Sequence, residues 1–356
     1  MPKGHFEKWT DEHLRTFGDE LLAAAEGAAQ VVGGWRKHTV KLGRTVVEFR
    51  STDDRVHSIL ARTMAHLTTN DPPTATISVC DTASTGVPRP TQPSWMGETW
   101  RHEGSATVLY QDRVRDSVAW SDSERGVALW WIPDEASIPA WERPTPLRAL
   151  IDRLLSPLGV SLVHAGIVGD DRGGVMLTGR GGSGKSTSVV ACVAAKLQSG
   201  GDDFVLMHND ERDPAICWSM FATARLLPES PAWSTFSANP AAIEMPRSID
   251  DDRNSIKRTV FLNEQFPGSM RDRFPIRAVA VPMVTDCTIT KAVPMRPAAA
   301  LLALAPSSML QLVDPHRSTL AALAALVREV PCYALHVGSD LADVSRAVGE
   351  LLNSTS

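Results

Sequence analysis

No run of about 18 consecutive apolar residues occurs in the 356-residue sequence, so no membrane-crossing helix is expected. The opening stretch MPKGHFEKWTDEHL lacks the apolar centre of a signal peptide. Both absences lead to the expectation of a cytoplasmic protein with no membrane partner. Positive charge is not in excess either. The formal net charge is −5, with 22% charged residues, which argues against bulk affinity for nucleic acid or an anionic surface. Cysteine is sparse. Cys80, Cys192, Cys217, Cys287 and Cys332 lie far apart and form no CxxC, so neither a disulfide framework nor a zinc site is expected. What the sequence does have is apolar residues, 43% of the total, enough for one large or two medium cores.

The pattern along the chain changes near residue 140. Before it, an amphipathic helix is read from about Asp11 to Ala29, closed by Gly33-Gly34. Alternation in Thr39–Leu42 and Thr45–Phe49 around Gly43-Arg44 signals a hairpin. A helix at Asp54–Leu67 follows, then strands at Ala75–Val79, Ala106–Gln111, Ser117–Trp120 and Val127–Ile132. Thr82–Met96 reads as a mobile loop rich in Pro, Ser, Thr and Gly. The tryptophans Trp95, Trp100, Trp120, Trp130 and Trp131 read as core and rim packing. Residues 1–140 are thus expected to form a smaller, mostly antiparallel α+β unit. Ile138–Pro146 carries three prolines in nine residues and reads as a linker. From Ser161, apolar strands alternate with helices, and residues 147–352 are expected to form an α/β domain.

One motif carries chemistry. Gly179-Arg180-Gly181-Gly182-Ser183-Gly184-Lys185-Ser186 fits G-x-x-x-x-G-K-[ST] at every fixed position, with a strand signal before it (Gly174–Thr178) and a helix signal after it (Ser188–Leu197). Glycines let successive backbone N–H groups converge on phosphate oxygens, and the helix start adds its positive dipole end. Lys185 supplies a mobile charge for the terminal phosphates. Ser186 offers a hydroxyl to magnesium, with Thr187 beside it. Gln198–Gly201 reads as a helix stop. Asp202-Asp203 then opens the strand Phe204–Met207. The two carboxylates suit a metal ligand and a proton acceptor; a solvated turn is the alternative. Leu162–Val168 reads as one strand that turns back through Gly169–Gly174, which places His164 close to the phosphate loop. A satisfied core histidine is the alternative for that residue.

His164-Ala165-Gly166, the hairpin, the loop Gly179–Thr187 and Gly201-Asp202-Asp203-Phe204 follow in an order that resembles HPr kinase/phosphorylase and its kinase relatives. That group shares its nucleotide-binding core with ATP-dependent phosphoenolpyruvate carboxykinase. The resemblance spans about Leu147–Leu351, with its specific motifs in 161–207. It implies a phosphate-loop domain with a twisted mixed sheet, ATP and Mg2+ as cofactors, Asp202 as general base, Asp203 as magnesium ligand and His164 beside the phosphates. It also implies self-association. The later signature segment of true HPr kinases is missing, so the chain looks like a divergent relative with an N-terminal accessory domain. The implied activity is phosphoryl transfer to a hydroxyl acceptor, a serine of a peptide or protein or a small metabolite; a non-catalytic nucleotide switch is the alternative. Arg225, in an apolar stretch, and Arg253 and Lys257, in the mixed-charge segment Asp250–Arg258, are candidate contacts to phosphate or substrate.

Overall fold

A computed structural model describes residues 10–90, 99–103, 106–112, 115–208, 215–235, 239–244, 256–310 and 317–354. The chain divides into two compact units, one of residues 1–40, 45–61 and 69–139, the other of 41–44, 62–68 and 140–356. Among the described residues no helix is long and apolar enough to cross a membrane.

The first unit opens with α1 (Asp11–Val31), started by Thr10, whose side chain accepts from the His13 N–H, with Asp11 and Glu12 in the first turn. There follow β1 (Arg36–Leu42), β2 (Thr45–Ser51), α2 (Asp54–Thr63), β3 (Ala75–Asp81), the short α3 (Thr82–Thr85), β4 (Thr99–Glu103), β5 (Thr107–Asp112), β6 (Ser117–Asp122) and β7 (Val127–Ile132). They form one sheet in the order β1-β2-β3-β7-β6-β5-β4. The β2–β3 and β3–β7 pairs are parallel and the β4–β5, β5–β6 and β6–β7 pairs antiparallel, so the sheet is mixed. The cause is the α2 crossover between β2 and β3, which returns the chain in the same direction. Leu14, Phe17, Leu21 and Ala25 of α1 pack with Leu109, Val118, Trp120, Leu129 and Trp131. Trp120 and Trp131 are fully buried, as core packing requires. The segment read as a mobile loop begins instead with the helical turn α3, whose N-cap Asp81 accepts from the Ser84 N–H; its later part lies outside the described residues.

The second unit begins with the proline-rich stretch. Glu142 to Leu147 are buried, so this is packed structure, not an extended linker. Glu142 Oε1 accepts the Leu147 N–H at 2.8 Å, and Thr223 Oγ1 donates to the Pro144 carbonyl at 2.6 Å. Next come α4 (Arg148–Leu155), β8 (Val160–Val163), β9 (Gly166–Asp170), β10 (Gly173–Leu177), α5 (Lys185–Ala194), β11 (Gln198–Gly201), β12 (Val205–His208), β13 (Ile216–Trp218), β14 (Thr223–Leu226), β15 (Ile243–Glu244), β16 (Arg258–Phe261), α6 (Leu262–Gln265), β17 (Arg273–Val284), β18 (Lys291–Pro294), α7 (Pro297–Leu310), α8 (Arg317–Glu329), β19 (Cys332–Val337) and α9 (Leu341–Ser354). The main sheet runs β11-β9-β10-β17-β13-β12-β8, with β19 also on β17 and β18 on β19. The β10–β17 and β17–β19 pairs are parallel, and their neighbours are antiparallel, so this sheet is mixed. Strands β14, β16 and β15 form a separate small sheet.

Alternation along the strands serves two apolar layers. Val175, Leu177, Ala278 and Ala280 join Val189, Val190 and Val193 of α5 and Val344, Val348 and Leu351 of α9. Met176, Val279 and Phe274 join Leu304 of α7 and Leu323, Leu326 and Val327 of α8. Two readings of the sequence are corrected. The single strand across 162–168 is two strands, broken at His164-Ala165: β8 pairs with β12, whereas β9 pairs with β10 and β11. Gln198–Gly201 is not a helix stop but β11. The helix has already ended at Ala194, and Lys196 takes the left-handed turn at φ 74°.

Candidate active site

The loop Gly179–Gly184 joins the end of β10 to the start of α5. Gly179, Gly182 and Gly184 have φ of 147°, 81° and 97°, conformations that favour residues without Cβ. At Gly184 a side chain would also meet Val284 Cγ2 at 3.1 Å. No side chain caps α5, so its first amides remain for a ligand.

Lys185, the first residue of α5, leans across to the other acidic motif. Its Nζ donates to the Asp202 carbonyl at 2.9 Å and to Asp203 Oδ1 at 3.1 Å, and lies 3.4 Å from His164 Nε2. His164 Nε2 is 3.6 Å from Asp203 Oδ1. The break between β8 and β9 is what turns His164 towards this point; its own N–H donates to Ser308 Oγ at 3.1 Å. Burial, with the charge of Lys185, pushes the His164 pKa down, so its ring is neutral at pH 7.

The two aspartates differ sharply. Asp202 is 1% exposed. Its Oδ2 accepts the Arg225 N–H at 3.3 Å, and Oδ1 has no hydrogen-bond partner among the described residues. Burial raises its pKa, against the lowering pull of Lys185 and of the Ser186 hydroxyl. Asp203 has 20% of its side chain exposed. Burial raises it too, but Lys185 and the neighbouring His164 outweigh that and hold it well below the usual carboxylate range.

These groups meet in one cavity of about 320 Å³. From the residues singled out in the sequence, its wall includes His164, Arg180 to Thr187, Asp203, Arg225 and Lys257. Burial lowers the Lys257 pKa, with the charges of Asp203 and Asp202 opposing. Gly179 and Asp202 lie behind the wall, and Arg253 lies outside the described residues. The sequence reading missed Arg148, Phe204, Glu229, Ser230 and Val284, which also line the cavity. Of these only Phe204 carried a signal, as the neighbour of Asp203. Five cationic side chains against two carboxylates make the cavity suited to a polyanion. Among the described residues no group of three His, Cys, Asp or Glu side chains could hold a metal alone. The donor set present, Ser186 and one or two aspartates beside an anion cradle, fits a magnesium ion shared with phosphate oxygens, and the orphaned Oδ1 of Asp202 is consistent with that fit.

No family model matches the chain, and no curated protein matches it. Among solved structures, the Hpr(Ser) kinase/phosphatase from Coxiella burnetii matches at 11% identity, over 55% of this chain and 95% of that one, with a TM-score of 0.27. At that level of similarity the functional reading rests on the site itself.

Proposed function

We propose that this chain is a magnesium-dependent kinase that transfers the terminal phosphoryl group of ATP to a hydroxyl, on a serine of a peptide or protein or on a small metabolite. One observation carries the reading: a glycine-rich anion cradle, its lysine and an ionised aspartate meet at 3.1 Å in a single cationic cavity. The loop amides and the start of α5 bind the phosphates. Lys185 exchanges Asp203 for the terminal phosphate oxygens, which frees Asp203 as their charge arrives. The acceptor oxygen attacks phosphorus in line, its O–P bond forms as the bridging O–P bond of the donor breaks, and the hydroxyl proton passes to Asp203. His164, neutral, lies 3.6 Å from Asp203 Oδ1 and helps to hold its orientation. Magnesium would neutralise charge on the phosphates, held by Ser186 with Asp202 behind it.

This division reverses the roles that the family resemblance implied for the two aspartates. Asp203 faces the cavity and Asp202 does not, and a base must reach the proton it takes. The test is transfer of label from γ-labelled ATP to hydroxyl acceptors, serine peptides and sugars among them, with ADP as co-product. Binding of Mg·ATP with no transfer to any acceptor and no ADP formed would leave a nucleotide switch in place of an enzyme.

A further inference from the structure

Outside the phosphate loop, the cavity wall also carries a cation from α4, Arg148. Arg148 begins α4, and its guanidinium lies 4.9 Å from the centre of the Trp141 ring and 5.2 Å from that of Phe204. The Phe204 ring is in turn 5.3 Å from the His164 ring, and His164 is 3.4 Å from Lys185 Nζ. Arg148 thus reaches the lysine through the Phe204 and His164 rings rather than by direct contact, and all four line one cavity. An in-line transfer needs an acceptor site in the same cavity, beyond the loop that holds the phosphates.

The setting of Arg148 is that of a ligand-binding arginine. Stacking on two rings fixes the plane of a guanidinium and leaves its N–H edge free. Its one protein hydrogen bond among the described residues is long, 3.5 Å to Thr145 Oγ1. Glu142 acts on it only through space, already accepts the Leu147 N–H, and has its pKa raised by burial, so it is a poor counter-ion. Arg148 lines the cavity and is half-buried, where a guanidinium edge is worth most to an anion.

We infer that Arg148 is an acceptor-recognition residue, and that the acceptor carries an anionic group, carboxylate or phosphate, close to the hydroxyl that is phosphorylated. This rests on the kinase reading above.

The test is calorimetry on the full chain saturated with Mg·AMP-PNP, titrated with glycerol, glycerate and glycerol 3-phosphate. Binding of at least one anion but not of glycerol is expected; whichever anion binds more tightly names the group. Arg148→Gln should weaken that binding roughly 10- to 100-fold, and Arg148→Lys by less, with Mg·AMP-PNP affinity unchanged in both. Equal binding of glycerol, no binding of either anion, or anion binding indifferent to Arg148→Gln would overturn the assignment while nucleotide binding stands. Failure of Mg·AMP-PNP to bind the unaltered protein would instead remove the kinase reading, and the assignment with it.

Discussion

Asp203→Asn separates chemistry from binding in this site. The substitution keeps the shape of the side chain and removes its ability to take a proton. A positioned general base is worth about 10²- to 10⁴-fold in rate, or about 2.7–5.4 kcal/mol of barrier. The structural cost should be smaller. Breaking a fully buried ion pair costs roughly 3–5 kcal/mol, but Asp203 keeps 20% of its side chain in solvent. Lys185 also retains the Asp202 carbonyl at 2.9 Å, and an Asn oxygen can still accept from it. A loss of about 1–2 kcal/mol in stability is expected. Nucleotide affinity should stay within about threefold or rise, because Lys185 no longer has to leave a carboxylate. The assay is label transfer from γ-labelled ATP to an acceptor, with calorimetry for Mg·AMP-PNP. Asp202→Asn should instead raise the magnesium concentration needed for half-maximal rate. Turnover within tenfold of the unaltered protein in Asp203→Asn, or lost nucleotide binding there, would refute the assignment of the base.

Two more expectations follow from the same contacts. Asp203 must be ionised to accept a proton, and its pKa in the free protein is held well below 3.8. So kcat/KM should stay level as pH falls to about 4 and drop only below it; in the nucleotide complex Lys185 has moved away, so the acid limb of kcat should lie higher than that of kcat/KM. In the first unit, Gly18→Ala and Gly27→Ala should have opposite signs in denaturant midpoint. Both add helix propensity of about 1 kcal/mol to α1. A Cβ on Gly18, however, would sit 2.1 Å from the buried Trp120 ring, an overlap costing about 1–3 kcal/mol, whereas nothing lies within 4 Å at Gly27.

Much of the frame was legible in local pattern. The amphipathic α1, the Gly43 turn, the strand–loop–helix around Gly179–Thr187 and the placing of Trp120 and Trp131 in a core all follow from residue type and spacing. The errors share a cause, which is that partners distant in sequence decide them. Apart from His164 the run Leu162–Val168 is apolar, and a lone His does not mark a strand break at His164-Ala165. The break comes from β8 pairing with β12 while β9 pairs with β10. Gln198–Gly201 has the residues of a turn and becomes β11 because β9 offers it a ladder, with Ser199 Oγ donating to the Ile167 carbonyl at 2.9 Å. The proline stretch reads as exposed until Thr223 binds its Pro144 carbonyl. In the site, the loop and both aspartates were visible, but their unequal burial was not, since adjacent residues on one turn carry no sequence mark of which faces the cavity. Arg148 was invisible for the same reason: its meaning comes from Phe204, 56 positions on, beneath its guanidinium.

The central claim is that this cavity grips a nucleoside triphosphate through the loop and Lys185, and calorimetric titration of Mg·AMP-PNP into the unaltered chain and into Lys185→Ala tests it most directly. One nucleotide should bind per chain, with affinity lowered roughly 10- to 100-fold in the variant, the worth of charge-assisted contacts to phosphate. No heat of binding in the unaltered protein, or equal affinity in both, would contradict it.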